Sequence, residues 1–428
     1  MEKINVVLVV FNVKYLQNVL GHLNPDTANL VTVMLDGYDK NSLTFGDKEV
    51  PVIPFADIQQ TIDEHKNCIW LIRGSLGAIT YIYAMKKFLV MSGVPSDNIV
   101  NFTLMLSPVW NANFNYVKKN GADFFATGVS YTEVGLTLNS IPHVRNRAVN
   151  LAGSNQDLRQ GYFTAKRIFE HFKINPPPTR CKFVIIGLAP YSFCYDNVKS
   201  FSVCSRNLQY MTALNYPEAG LHDHLMKILV SDRINKLLQD TSTKIVDLNF
   251  DRLKQKMNRK MSVGAMLLWE YDLKKLTKNS FLLTIEENTQ ILKDYIELCL
   301  ANDVKPVGVV FPFAPVIQKN IDVELLSKFR IAIHQFEENY DFTCVDLFDM
   351  NLGYDCFYNL THLNLKGAAL ASSLLALKLW KLNLIDTESF CGMSSEYFQT
   401  LSTVAPADEY NALMDQVAKV SDKIGKPS

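Results

Sequence analysis

Residues 123–136 read DFFATGVSYTEVGL, an apolar strand-like run, then a glycine at 128 and a serine at 130 just before a turn or helix. A serine at the carboxyl end of a strand meets backbone amides and the positive end of a helix dipole, which is where a nucleophile belongs. Alone this is a weak signal, because Gly-x-Ser turns are common and most strand-terminal serines cap helices. Its weight depends on what the rest of the chain brings to the same edge.

Four further apolar runs follow at AVNLAG (148–153), KFVIIGL (182–188), PVGVVFP (306–312) and FTCVDLF (342–348). Together they predict an α/β fold with five parallel strands. Between the third and fourth runs, residues 195–300 read mostly helical. Leu292, Tyr295, Ile296 and Leu300 recur at helical spacing, so an amphipathic helix leads into the fourth strand. The stretch 195–280 is too long for a simple crossover and predicts an inserted helical cap.

The first 112 residues alternate in the same way, through INVVLVV, VKYLQNVLGHL, ANLVTVML, VPVIPF, ADIQQTIDEH, CIWLIRG and AITYIYAMKKFLVMSG. They resemble small Rossmann-like domains found beside sugar-modifying enzymes. The turn after the first strand, FNVKYL, lacks the glycines that admit a pyrophosphate to a helix N-terminus. A docking or scaffold domain is therefore expected over 1–112, a second α/β domain over 113–390, and a C-terminal helical extension over 391–428.

With 428 residues the chain exceeds what one core normally holds. Lys plus Arg equals Asp plus Glu at 43 each, so no global field attracts nucleic acid or an anionic membrane. The start, MEKINVVLVVFNVKYL, lacks the order of a secretory signal, and no run is long and apolar enough to span a bilayer. A cytoplasmic protein is expected, and a homo-oligomer is compatible with it. The eight cysteines are scattered, without a C-x-x-C pair or zinc-ligand spacing. Buried reduced thiols are expected, and neither metal nor cofactor.

Two later segments strengthen Ser130. The second run ends in Gly153-Ser154-Asn155-Gln156, where Gly153 is either an oxyanion donor or part of a tight turn capped by Ser154 or Asn155. After the last strand comes YNLTHLNLKGA (358–368), which places His362 on a loop above the sheet's carboxyl edge, within reach of Ser130. An imidazole there suits a general base.

The set GVSYTEVGL, VNLAGSNQDL, FVIIGL and NLTHLNLKGA, in that order over about 121–382, resembles the SGNH (GDSL-type) hydrolase superfamily. It is most similar to the divergent branch of proteins of cell-surface polymer D-alanylation and polysaccharide O-acylation. The resemblance implies a flavodoxin-like three-layer α/β/α domain, with Ser130 as nucleophile and His362 as base. It further implies that the amides of Ser130 and Gly153 face the oxyanion.

Two positions depart from the family pattern. Asn359 stands three residues before the histidine, where the family has an aspartate, and such a change costs around 10⁴ in turnover when the wrong tautomer results. Asp355 is a candidate substitute, and a Ser–His dyad is the alternative. The block Gly187-Leu188-Ala189-Pro190 replaces Gly-x-Asn-Asp and so lacks the asparagine that donates to the oxyanion. Asn155, Tyr191 and Ser192 are candidates for compensation. The expected function is a serine esterase or acyltransferase acting on an acylated glycan or other small ester. Its rival is a catalytically impaired SGNH-like binding or scaffold protein of surface polysaccharide biosynthesis.

His222-Asp223-His224 has metal-ligand residue types, but a spacing of two points the rings to different faces of a helix, so a surface position is expected. Trp269-Glu270-Tyr271 reads as cap core, NPPPTR (175–180) as a rigid connection, and Asp346 and Asp349 as solvated turn residues.

Overall fold

The computed structural model describes residues 3–21, 23–74, 79–102, 108–142, 147–154, 156–194, 237, 261–262, 264, 267 and 285–424. The chain divides into two compact units, one of Met1–Ala112 with Val198–Thr243 and one of Asn113–Asn197 with Lys244–Ser428. The helical cap expected over 195–280 lies almost wholly outside the described residues, as do His222-Asp223-His224 and Trp269-Glu270-Tyr271.

The first unit runs β1 (Ile4–Val10), α1 (Leu16–Leu20), β2 (Ala28–Met34), β3 (Ser42–Phe45), β4 (Lys48–Ile53), α2 (Ile58–His65), β5 (Ile69–Arg73), α3 (Ile79–Met91) and β6 (Ile99–Asn101). Its sheet has the order β3-β4-β2-β1-β5-β6, parallel throughout except for the β3–β4 hairpin. The central strand β1 is apolar without alternation because both its faces are covered. Val6, Leu8 and Val10 enter one core with Leu16, Val19 and Leu237, while Val7 and Val9 enter the other with Ile62, Ile82 and Leu89. The hairpin is absent from the sequence expectation, which has one strand at VPVIPF. Its signal is the Gly46-Asp47 loop between two short extended runs, with Gly46 at φ +59.

The second unit runs α4 (Pro108–Asn120), β7 (Phe124–Thr127), α5 (Ser130–Gly135), β8 (Ala148–Asn150), α6 (Leu158–Ile174), β9 (Phe183–Leu188), α7 (Ile285–Leu300), β10 (Lys305–Val310), α8 (Pro315–Asn320), α9 (Val323–Asn339) and β11 (Thr343–Asp346). A small hairpin of β12 (Phe357–Asn359) and β13 (His362–Leu363) follows. The helices α10 (Leu365–Lys381), α11 (Glu388–Cys391), α12 (Ser395–Ser402) and α13 (Ala407–Ile424) complete it. Five parallel strands lie in the order β11-β10-β9-β7-β8. They match the five apolar runs. The predicted face of α7 shifts slightly, with Ile291, Leu292, Tyr295, Ile296 and Cys299 buried and Leu300 only half-buried.

The chain leaves β7 for β8 on one side and then returns to β9 on the other, so the sheet reverses direction at β7. Crevices beyond the carboxyl ends of strands form at such a reversal. Two glycines allow helix α5 to start there. Gly128 has φ +137, and a Cβ on it would lie 2.8 Å from Gly187 Cα. A Cβ on Gly187 would lie 1.9 Å from Thr132 Oγ1 and 2.7 Å from Thr132 Cβ, so α5 rests directly on the end of β9.

The other end of α5 is held by polar groups. Asn150, 3% exposed, donates through Nδ2 to the carbonyls of Thr132, Glu133 and Leu136, each at 3.3 Å. Ser372 of α10 donates to the Gly135 carbonyl at 2.9 Å and accepts from the Thr137 amide at 2.9 Å. These bonds satisfy carbonyls that a six-residue helix would otherwise leave open.

The seven cysteines among the described residues are free thiols. Burial pushes the Cys181 thiol up to about 12, so it behaves as the small hydrophobe the sequence suggests. Gly187→Ala is expected to destabilise the fold by about 1–3 kcal/mol, because a methyl must displace the Thr132 side chain. A fall in the urea midpoint at unchanged slope checks this.

Candidate active site

Ser130 is the first residue of α5, and Val129, which precedes it, has no side-chain group to cap the first turn. Among the described residues the Ser130 amide has no acceptor, an orphan donor of the kind helix starts carry. His362 arrives from a separate part of the chain, on the β12–β13 hairpin. The two-residue loop Leu360-Thr361 sets Asn359 opposite His362 in antiparallel register, which turns both side chains to one face.

Three predicted residues therefore meet. The Ser130 hydroxyl lies 2.8 Å from His362 Nε2, and Asn359 Oδ1 lies 2.9 Å from His362 Nδ1. The orientation of the amide can be assigned from its neighbours. The Thr361 backbone N–H donates to Asn359 Oδ1 at 3.0 Å, and only the oxygen of an amide can accept it. With oxygen facing the ring, Nδ1 must carry the proton and Nε2 must offer its lone pair to Ser130. Asn359 thus selects the tautomer a base requires. The tautomer penalty attached to an asparagine here does not arise in this geometry, whereas the missing charge remains missing.

Asp355 does not substitute for it. Its carboxylate pairs with Lys366 and makes no bond to the ring. Burial pushes His362 down to about 4, the residue being largely enclosed and only partly exposed. The imidazole is neutral at neutral pH. Tyr131 and Tyr358 both stack on it, with ring centroids 5.0 and 5.3 Å away and interplanar angles of 30° and 29°. Behind Tyr131 stand Phe313 at 4.9 Å and Tyr191 at 5.8 Å.

Gly153 follows the turn alternative and not the oxyanion one. Its amide donates to the Gly128 carbonyl at 2.9 Å, closing the turn between β8 and the end of β7, so it is not aimed at an oxyanion. Ser154 donates to Glu133 at 2.7 Å, and Asp157 caps α6 in a reciprocal box with Gln160. Asn155 lies outside the described residues. Gln156 accepts the Gly128 amide at 2.7 Å and donates to the Leu151 carbonyl at 3.2 Å, tying the turn to the strand beside Ser130. Ser192 Oγ accepts from the Ala189 amide at 2.8 Å. Asp346 and Asp349 form ion pairs with Arg330 at 3.0 and 2.6 Å, which is ordinary surface pairing.

Sequence reasoning missed four residues: Tyr131, Tyr358, Thr361 and Glu133. Each lies within a quoted motif. Nothing local showed that the two rings would turn onto the imidazole, or that Glu133, 4% exposed, would be buried. Among the described residues no group of three His, Cys, Asp or Glu side chains assembles to hold a metal.

No protein-family model matches the chain, and no curated protein matches it. Among solved structures it is similar to one from Streptococcus pneumonia described with the words "platelet activating factor". That likeness has 8% identity and a TM-score of 0.33, and it covers 71% of this chain and 98% of the other. A score so low carries no argument.

The depressed His362 has a consequence for stability. Above its ordinary value of 6.5 neither the folded nor the unfolded chain protonates the ring, and His362 has no effect. Between 6.5 and about 4 the unfolded chain takes up a proton that the native ring refuses, so stability falls with falling pH and levels off below that window. An NMR titration should place the His362 midpoint near 4, and His362→Gln should remove this part of the slope of urea midpoint against pH.

Proposed function

We propose that the second unit is an SGNH-type serine esterase or acyltransferase acting on an acylated glycan or other small ester. The observation that carries this reading is the 2.8 Å contact between Ser130 Oγ and an imidazole nitrogen whose tautomer Asn359 selects. Ser130 attacks the acyl carbonyl while His362 Nε2 takes its proton, and the Ser130 amide holds the oxyanion. The imidazolium then returns the proton to the departing alcohol, leaving an acyl-serine. Water or a second alcohol releases the acyl group, and the two outcomes share every residue. The glycan as substrate is drawn from the resemblance of the four motifs.

The strand order supports the finer fold reading. Counted along the chain, the second unit's sheet runs 2-1-3-4-5, the flavodoxin-like order, with Ser130 at its reversal. The parallel part of the first unit's sheet runs outward in both directions from its first strand, as in Rossmann-like domains. Free buried thiols favour a reducing, cytoplasmic compartment. Among the described residues no helix is long and apolar enough to cross a membrane.

One observation favours the rival, an impaired binding or scaffold protein. The Gly153 amide is bonded within the fold, so the oxyanion has fewer donors than the motif suggests. Losing one such donor costs on the order of 10² to 10³ in rate.

A fluorophosphonate probe separates the two readings. Labelling of the parent that vanishes in Ser130→Ala and drops sharply in His362→Ala supports the enzyme, while no labelling from pH 6 to 9 rejects it. Asn359→Asp adds the absent charge 2.9 Å from Nδ1 and so raises the His362 pKa. Its expected effect is a gain of about 10- to 100-fold in ester turnover, with the acid limb of kcat/KM moving to higher pH. An unchanged profile would show that Asn359 does not limit the rate.

A further inference from the structure

We propose that Tyr131 and Tyr358 are positioning residues whose aromatic faces hold the His362 ring and, in place of a triad carboxylate, stabilise the imidazolium that forms on it. The proposal rests on the reading of Ser130 as nucleophile and His362 as base. It starts from an imbalance in the site. Asn359 sets the tautomer but brings no charge, and Asp355 is engaged by Lys366. When Nε2 takes the serine proton, a positive ring is left in an enclosed place, the situation a buried carboxylate normally relieves.

The groups that contact the ring come from two elements, Ser130 and Tyr131 from α5 and Tyr358, Asn359 and Thr361 from the hairpin. Near Tyr358 lies the buried Glu133, whose carboxylate accepts from the Ser154 hydroxyl. Glu133 acts on the Tyr358 phenol, which burial first and this carboxylate second push up to about 12. Tyr358 therefore keeps its proton and is a neutral ring at any working pH. Burial is the cause of the low His362 value, with no counter-ion contributing.

Two aromatic faces remain, and their geometry suits the task. Both centroids lie within the ~6 Å over which a ring quadrupole stabilises a cation, and both rings are tilted only 30° and 29° from the imidazole plane. Each comes from the residue adjoining a member of the site, Tyr131 after Ser130 and Tyr358 before Asn359. Any shift of α5 or of the hairpin therefore moves ring and reacting group together. Tyr131 is braced by Phe313, and Phe313 in turn by Phe348 at 5.7 Å, so its plane is set by packing.

The test reads the His362 protonation equilibrium by imidazole NMR, alongside ester turnover. Tyr131→Leu and Tyr358→Leu keep the site apolar and remove the quadrupole. Each should lower the His362 pKa by about 0.5–1 unit and lower kcat severalfold with little change in KM. Tyr→Phe at the same positions should restore both. Pentafluorophenylalanine, which has nearly the shape of phenylalanine but an inverted quadrupole, should titrate below Phe, and it keeps the test available if a Leu variant does not fold.

A Leu or pentafluoro variant that titrates with the parent, or above it, overturns the proposal. So does Glu133→Gln if it reproduces the whole Leu shift and leaves the Leu variants without further effect, because the charge would then come from Glu133. A parent that neither labels nor turns over, but whose variants shift the ring as stated, would sink the esterase reading and keep the aromatic one.

Discussion

The second unit depends on one close approach. The side chain of Thr132 occupies the space that a Cβ at position 187 would fill, which lets a short helix stand directly on the end of β9. Gly128 makes the matching concession on β7, with a backbone conformation that L side chains avoid and its Cα pressed towards Gly187. Ser130 is held at the reversal of the sheet by these contacts and not by its own side chain. A bulkier residue at either glycine would move the helix, and with it the serine, by a distance that hydrogen-bond geometry does not tolerate.

Such a short helix cannot hold itself in place, and the polar groups at its two ends show how the fold compensates. Asn150, Ser372 and Gln156 are buried or nearly so, and each reaches across to a different segment. Burying them is tolerable because each has partners on the backbone, where an apolar replacement would strand three carbonyls and an amide at Asn150, and one carbonyl and one amide at each of Ser372 and Gln156. The same network joins α5 to α10, the helix that follows His362. The helix that carries Ser130 and the hairpin that carries His362 are thus fastened to one frame.

Within the site, two tasks that a triad aspartate performs together are separated. Choosing the tautomer falls to an amide whose oxygen is pinned by the Thr361 N–H. It supplies no charge, and the rings of Tyr131 and Tyr358 stack on the imidazole. A depressed base pKa accords with this division, since an enclosed ring without a counter-ion resists protonation. A carboxylate would raise it at once.

The sequence by itself determined the strands of the second unit and singled out Ser130 and His362, the two residues that meet at 2.8 Å. Apolar runs of strand length bounded by glycine and polar residues are local signals, and a serine and a histidine each following a strand in a parallel sheet reach the same edge by topology. It also marked Asn359 as a departure. It left open Gly153, Asp355 and the tyrosines, for one physical reason. Whether an amide is spent on a neighbouring carbonyl, whether a carboxylate turns to a lysine or a ring, and which faces stack on an imidazole are matters of a few ångströms. Those distances are set by contacts between residues as far apart as 130 and 362, and only the assembled fold decides them.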